Sequence, residues 1–563
     1  MPHMDLHFLG GAKTVTGSQY LLVTKRARVL IDCGMFQGTP DESVRNRIPF
    51  DYDPAALDAV LITHAHLDHC GLLPVLVREG YRGHIHATAG TAELAALVLL
   101  DSGRLHEEFA KREARWERRN PDKVQADDRR EHAQYAAALE LAREGERRNG
   151  HDHPGSAAEN GNTMTVPLPE TGSIATHEHV QSSIEPVGPG HPRQGLSVLE
   201  SGDRPAQLRD LDAPLYTEKD AAAVLSRFKT LEYEREREVA PGVWATLFDA
   251  GHILGSAIIR VRVQDDQGGP ARIIVFSGDL GRPGAPILRD PTHQVGADYV
   301  LIESTYGGRE HEPQDEAVRV LAETVRMVAD AGGVLLVPSF AIGRTQDVVW
   351  ELDRLVEAGK IPMLPLYLDS PMASKATEVY RRHQEYYDAE TRGIAQAGGT
   401  PLDYPRQVVT NDVRQSEAIA QAKRPYMIIA SNGMLTGGRV VAHLRNLIDD
   451  PGATILFVGY QGKGTLGAHL QAGATRVRLD GREVDVRCTI RSISGFSAHA
   501  DEPQLLDWLS SFARGRTPGT DGFPRRVFLV HGDPEAQIAI EPKVRALGFE
   551  TYIPQWHETV TLD

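Results

Sequence analysis

Residues 63–71 read THAHLDHCG and follow directly on the apolar run AVLI (59–62). Neighbouring imidazoles repel once protonated, so three histidines and an aspartate within six positions need a reason. Imidazole is the commonest zinc ligand, and a carboxylate beside it suits the same ion. His64, His66, Asp68 and His69 together exceed what one tetrahedral ion needs from a single loop, so the stretch predicts two metal ions close together. An ordinary polar loop is the alternative, and this density of histidine argues against it.

Two ions require more ligands, and the apolar runs place candidates at their ends. FDAGHILGSA delivers His252, VFSGDLGR delivers Asp279 and VFLVHGD delivers His531, each beside glycine. Asp32 ends another such run in VLIDCG. Lying so near the histidine loop in sequence, it is better placed to hold a ligand imidazole than to bind metal itself.

Composition bounds the rest. A chain of 563 residues is expected to hold two or three domains. No apolar run reaches the ~18 residues of a membrane span, and the N-terminus lacks the pattern of a secretory signal. Three widely spaced cysteines (Cys33, Cys70, Cys488) make no disulfide framework, which predicts a protein of the reducing cytoplasm with no membrane partner. A formal net charge of −16 weighs against nucleic acid held by bulk electrostatics, although a local basic cleft is compatible with it.

Strand-like and helical patterns alternate along most of the chain. VLLVPSFAIG leads into RTQDVVWELDRLVEAG, LPLYLDSPMAS into KATEVYRRHQEYY, YMIIASNGMLTGG into RVVAHLRNLI, and TILFVGYQGKG into TLGAHLQAG. Such alternation predicts α/β layers with mostly parallel strands, and loops at the carboxyl ends of parallel strands bind ligands. Residues 111–210 break the pattern. Their first part is dense in both charge signs and predicts a solvated helix or two, while the second is rich in Gly, Pro, Ser and Asn. The whole stretch reads as a flexible insertion.

These motifs, with ESTYG (303–307), SISGFSAHAD (492–501), FLGGAKTVTGSQYLL (8–22) and SNGMLTGGRV (431–440), resemble the β-CASP ribonuclease branch of the metallo-β-lactamase superfamily. Within it they are most similar to bacterial and archaeal relatives of the cleavage and polyadenylation specificity factor endonuclease. The resemblance implies a discontinuous metallo-β-lactamase αββα sandwich (1–307 and 491–563). An inserted α/β β-CASP domain of mostly parallel strands (308–490) would cap the active site. It assigns one metal to His64, His66 and His252, and the other to Asp68, His69 and His531, with Asp279 bridging. The implied cofactors are two zinc ions per chain, with manganese as an alternative working ion. His499 would be the general acid and Glu303 the group that orients it. The implied reaction is hydroxide attack on a phosphodiester, with Asp68 among the catalytic residues.

The histidine at 531 favours RNA, because the branch's DNA nucleases usually carry valine there. The expected partner is single-stranded RNA, cut endonucleolytically with 5′-to-3′ exonuclease action in addition, and relatives of this kind are often homodimers. Ser497, Arg344, Lys375, Ser431, Arg439 and Lys463, in polar or glycine-rich loops, are the expected substrate contacts. A small-molecule metallohydrolase of esters, thioesters or lactams is the competing reading, and the size of the inserted series weighs against it. A DNA-acting nuclease and a noncatalytic RNA-binding scaffold are further alternatives. His84 and His86 share one face of a strand and imitate a metal pair, but the resemblance places no ligand there. The HDH and HEH pairs at 151–153 and 177–179 have no scaffold around them.

Overall fold

The computed structural model describes residues 4–148, 213–264, 270–459, 461–462 and 464–562. Two seven-stranded sheets face each other. The first runs, in spatial order, Glu558–Leu562, Met4–Gly10, Gln19–Val23, Arg28–Ile31, Ala59–Leu61, His84–Ala87 and Phe228–Thr230. The second runs Thr551–Tyr552, Arg526–Val530, Tyr299–Glu303, Arg272–Phe276, Ala257–Val263, Val243–Asp249 and Arg237–Ala240. The inner faces alternate apolar side chains, and Leu6, Phe8, Leu22, Ile31, Leu247, Ile259, Phe276 and Phe528 bury themselves between the sheets. Helices cover both outer faces. Leu73–Arg78, Ala89–Arg119 and Glu218–Leu225 lie on the first, and Glu502–Ser510 and Pro534–Ala546 on the second. The result is an αββα sandwich.

Pairing within the sandwich is mixed rather than mostly parallel, because the chain meanders antiparallel over 4–31 and again over 237–276, and its last strand pairs antiparallel with its first. The mixed order still aligns the important ends. Tyr299–Glu303 is parallel to both Arg272–Phe276 and Arg526–Val530. Val243–Asp249 is related to Arg272–Phe276 by two successive antiparallel pairings, so it points the same way. The carboxyl ends of all four strands therefore open on one edge.

A third, six-stranded sheet is wholly parallel, in the order Gln407–Val409, Leu366–Asp369, Tyr426–Ala430, Val334–Pro338, Ala453–Phe457 and Thr489–Ser492. Its inner strands are buried throughout, as VLLVP, YMIIA and ATILF, the continuous apolar pattern of a sheet covered on both faces. The helices Arg344–Glu357, Pro371–Arg382 and Arg439–Leu447 start just past its strand ends. Because Thr489–Ser492 pairs with Ala453–Phe457, this sheet extends past residue 490, the expected limit of the inserted domain. The inserted domain packs on the loop that carries His252. Leu254 N donates to Tyr380 Oη at 3.2 Å, and Gly90 N donates to Tyr386 Oη at 3.4 Å.

The expectation of a flexible insertion from residue 111 is corrected over its first part. Helix Ala89–Arg119 runs on past that point, and a second helix spans Pro121–Arg148. Tyr135, Ala138 and Ala142, spaced three and four apart, bury one stripe of it against Val44 and the first sheet. At Gly145 the helix comes so close to the chain that a Cβ would meet the Trp556 carbonyl oxygen at 1.8 Å. The remaining stretch, with its HDH and HEH histidines, lies outside the described residues. No helix among those described is long and apolar enough to cross a membrane.

Candidate metal centre

Strand Ala59–Leu61 ends the first sheet's contribution, and the chain turns so that His64, His66, Asp68 and His69 project over the open edge. The turn requires a close approach: a Cβ on Gly34 would lie 1.7 Å from the Asp68 carbonyl oxygen. That glycine follows Asp32 and Cys33, and Cys33 N donates to His69 O at 2.8 Å. Asp32 itself sits in the left-handed region at φ 57° and is fully enclosed. Its Oδ1 accepts from Thr63 N and its Oδ2 from Thr63 Oγ1, both at 2.8 Å, while Oδ2 lies 2.7 Å from His69 Nδ1. The His69 ring is thereby fixed with Nε2 facing the site. His531 is the second non-glycine residue of the site with a left-handed backbone, at φ 45°, where Thr305 Oγ1 lies 3.2 Å from its Nδ1. Such conformations cost energy and cluster at functional sites.

Two donor groups form. In the first, His66 Nδ1 lies 3.1 Å from His64 Nε2 and 3.2 Å from His252 Nε2. In the second, His69 Nε2 lies 3.3 Å from His531 Nε2, and Asp68 Oδ2 is 3.5 Å from the latter. Asp279 stands between the groups. Its Oδ2 is 3.6 Å from both His64 Nε2 and His252 Nε2, and its Oδ1 is 3.2 Å from His69 Nε2. A tetrahedral ion bound at ~2.0–2.1 Å separates its ligand atoms by about 3.3–3.4 Å, close to these spacings. Asp279 Oδ1 is buried and makes no hydrogen bond among the described residues, an orphan acceptor of the kind that a cation satisfies.

Electrostatics agree. Burial, aided by neighbouring imidazoles, holds His64 and His252 well below the usual histidine value, and burial takes His66 down to about 4. These rings are neutral, with lone pairs free to bind metal. Burial alone would raise Asp68 and Asp279, but His531 and His69 outweigh it and keep both carboxylates ionised. The donor set fits two divalent cations, with zinc suited to the imidazole-rich groups.

His499 stands beside this cluster. Its Nδ1 is 3.1 Å from both oxygens of Glu303, whose Oε1 also accepts from Leu280 N at 2.7 Å. Burial would lower this histidine, but the Glu303 and Asp279 carboxylates raise it to about 9. Its Nε2 is 3.8 Å from Asp279 Oδ2.

The expected substrate contacts are placed differently. Arg344 is buried and paired with Asp347 at 2.8 Å, so its charge is engaged inside the protein rather than offered to phosphate. Arg439 is likewise held, 2.6 Å from Asp369 and reaching Thr410 O at 3.4 Å. Ser497 is buried, its Oγ accepting from His499 N at 3.3 Å, which shapes the turn instead of facing solvent. Ser431 Oγ donates to Ser370 Oγ at 2.9 Å, and Lys375 is exposed. Lys463 lies outside the described residues. Thr63, which meets Asp32 and the rings of His64 and His69, and buried Arg282, whose Nε donates to Ser497 O at 2.7 Å, were not singled out by sequence. Both belong to residue types with no chemical signature, and only the adjacency of Arg282 to GDLG could have marked it.

A sandwich that gathers two imidazole–carboxylate groups at one edge defines a metallohydrolase scaffold. The chain matches the metallo-beta-lactamase superfamily over residues 13–184, the Beta-Casp domain over 345–470, and a Zn-dependent metallo-hydrolase RNA specificity domain over 483–554. It is 32% identical over 552 residues to Ribonuclease TTHA0252 of Thermus thermophilus, covering 98% of each chain. It is 28% identical to Transcription termination factor FttA of Methanosarcina mazei, covering 98% of this chain and 71% of that protein. FttA of Pyrococcus horikoshii is also 28% identical, with 98% and 70% covered. The chain belongs to the β-CASP branch of the metallo-β-lactamase superfamily.

Proposed function

We propose that this protein is a metal-dependent ribonuclease that hydrolyses phosphodiester bonds of single-stranded RNA, cutting internally, with 5′-to-3′ exonuclease action as a second mode. The observation that carries the reading is Asp279, whose two oxygens face two separate donor groups. Two zinc ions, or manganese in their place, would supply a water acidic enough to ionise near neutral pH and would neutralise phosphate charge.

The chain's own residues do the rest. His64, His66 and His252 would hold one cation, Asp68, His69 and His531 the other, and Asp32 fixes the His69 ring. Glu303 accepts a hydrogen bond from the Nδ1–H of His499 and leaves Nε2–H directed at the cluster, where it can protonate a departing 3′ oxygen. The ionic hydrogen bond at Nδ1 favours the protonated imidazole, so the Nε2 proton is held until the leaving group takes it. The names of the relative in Thermus and of the domain matched over 483–554 support RNA as the substrate.

The test is cleavage of a 5′-labelled, unstructured RNA beside the matching DNA, in zinc and in manganese, by wild type and Asp68→Ala. Internal RNA cuts that disappear in the variant support the reading. Absence of RNA cleavage in either metal overturns it.

A further inference from the structure

A cleft of about 440 Å³ lies between the sandwich and the inserted domain, lined by the 284–290 loop, the middle of helix Arg344–Glu357 and residues 388–390. Three hydrogen bonds join it to the segment that carries His499. Arg282 Nε donates to Ser497 O at 2.7 Å, Arg282 Nη1 donates to Gln314 Oε1 at 3.0 Å, and Gln314 Nε2 donates to Glu351 Oε1 at 2.8 Å. The cleft is thus linked to the His499 segment through Gln314 and Arg282, and its volume is that of a small-ligand site.

Its chemistry is lopsided. Pro286, Leu288 and the Trp350 ring supply apolar walls. Asp290, Glu351, Asp388 and Glu390 line it with carboxylates, while the lining cation Arg289 is engaged by Asp249 at 2.9 Å. Such a cleft repels phosphate, contrary to the basic cleft expected for an RNA path. Glu351 is 5% exposed and Trp350 8% exposed. The Trp350 indole N–H is buried with no acceptor among the described residues, an unfavourable state for a donor. An occupant that satisfies these groups offers donors to Glu351 and an acceptor to Trp350, and carries no negative charge.

Among the RNA bases only guanine presents two donors, N1–H and N2–H, beside an acceptor, O6, on one edge. Adenine offers one donor position there, uracil sets its donor between two acceptors, and cytosine has one donor and two acceptors. A carboxylate can accept two parallel N–H groups with its two oxygens, and each oxygen retains a lone pair for a further bond such as that from Gln314. We propose that this cleft receives a guanine base of the RNA, with Glu351 accepting from N1–H and N2–H and the Trp350 indole donating to O6, so that cleavage is favoured beside a guanine. The proposal rests on the ribonuclease reading for its biological meaning, but base binding can be measured without cleavage.

The experiment has two arms. In the first, guanosine, inosine and adenosine, which carry no phosphate, are titrated into metal-loaded wild type, Glu351→Gln and Trp350→Phe, with binding read by saturation-transfer NMR and folding by melting temperature. Guanosine is expected to bind wild type at least about tenfold more tightly than adenosine, with inosine between them because it lacks N2–H, and both folded variants are expected to lose the preference. In the second, RNAs bearing a single guanine at successive positions are cut by the same proteins, with a maximum expected at one position in wild type alone. Equal binding of the three nucleosides, or a guanine preference unchanged in both variants, overturns the proposal. RNA cleavage with no guanosine preference removes the cleft proposal and leaves the nuclease. Guanosine preference in a protein that cuts no RNA removes the nuclease and leaves the cleft.

Discussion

His499 Nδ1 lies 3.1 Å from both carboxylate oxygens of Glu303, which is wholly buried. A buried carboxylate that grips one ring nitrogen with both oxygens fixes the tautomer and the direction of the other nitrogen. Glu303→Gln keeps the shape and removes the charge. The expected result is a fall in kcat of about 10–100-fold with KM and metal content unchanged, the scale on which supporting partners of active-site histidines act. Steady-state kinetics with metal analysis by mass spectrometry checks it.

On the proposed function, Asp32 acts on a metal only through His69, whose Nδ1 lies 2.7 Å from its Oδ2. Asp32→Asn still accepts from Thr63 but no longer matches the imidazole with a full charge at 2.7 Å. Affinity for one of the two cations is expected to fall about 10–100-fold while the other is retained. Competition with a chromophoric chelator reads the two affinities separately.

If the proposed cations are bound, removing them leaves Asp68, Asp279 and five close imidazoles facing one another with no charge to organise them. Chelation is expected to lower the melting temperature, and zinc or manganese to restore it. Free metal at about 100 times Kd stabilises the fold by about 2.7 kcal/mol per site. Calorimetry with and without chelator measures the difference.

Glu351 sets a pH dependence of stability away from the metals. Burial, reinforced by Asp347 and opposed by the Gln314 hydrogen bond, raises its carboxyl from 4.5 to about 7. A proton held more tightly in the folded state makes stability fall as pH rises between those two values, with the full cost present above about 7. Glu351→Gln removes that cost while keeping an acceptor for Gln314. The variant is expected to gain about 1–3 kcal/mol on wild type at pH 8 and clearly less at pH 5. Urea denaturation at the two pH values decides it.

The gathering of the candidate ligands was legible because the histidine loop follows the apolar run 59–62, while His252, Asp279 and His531 each sit beside glycine past another apolar run, and strand direction brings such ends together. The wholly parallel third sheet was legible for a related reason, its strands being continuous apolar runs followed by helical periodicity. The helix over Pro121–Arg148 was expected but its packing was not, since Tyr135, Ala138 and Ala142 make only a narrow buried stripe in a charge-dense segment. The Arg344 and Arg439 side chains could be placed near the expected cleft but not assigned partners. Asp347, three residues on in the same helix, holds Arg344 through a local spacing that went unused, whereas Asp369, at the end of another strand, captures Arg439 through tertiary geometry that spacing does not reveal. Thr63 and Arg282 show the same limit, for their roles follow from where neighbouring chains pass.

The most direct measurement compares wild type and His499→Ala on a 5′-labelled unstructured RNA, with metal content determined on the same samples. The account predicts two divalent ions per chain in both proteins, internal cuts by wild type, and a rate lower by about 10²–10⁴-fold in the variant. Equal cleavage by the two proteins, or a wild type that holds both ions and cuts no RNA, would contradict it.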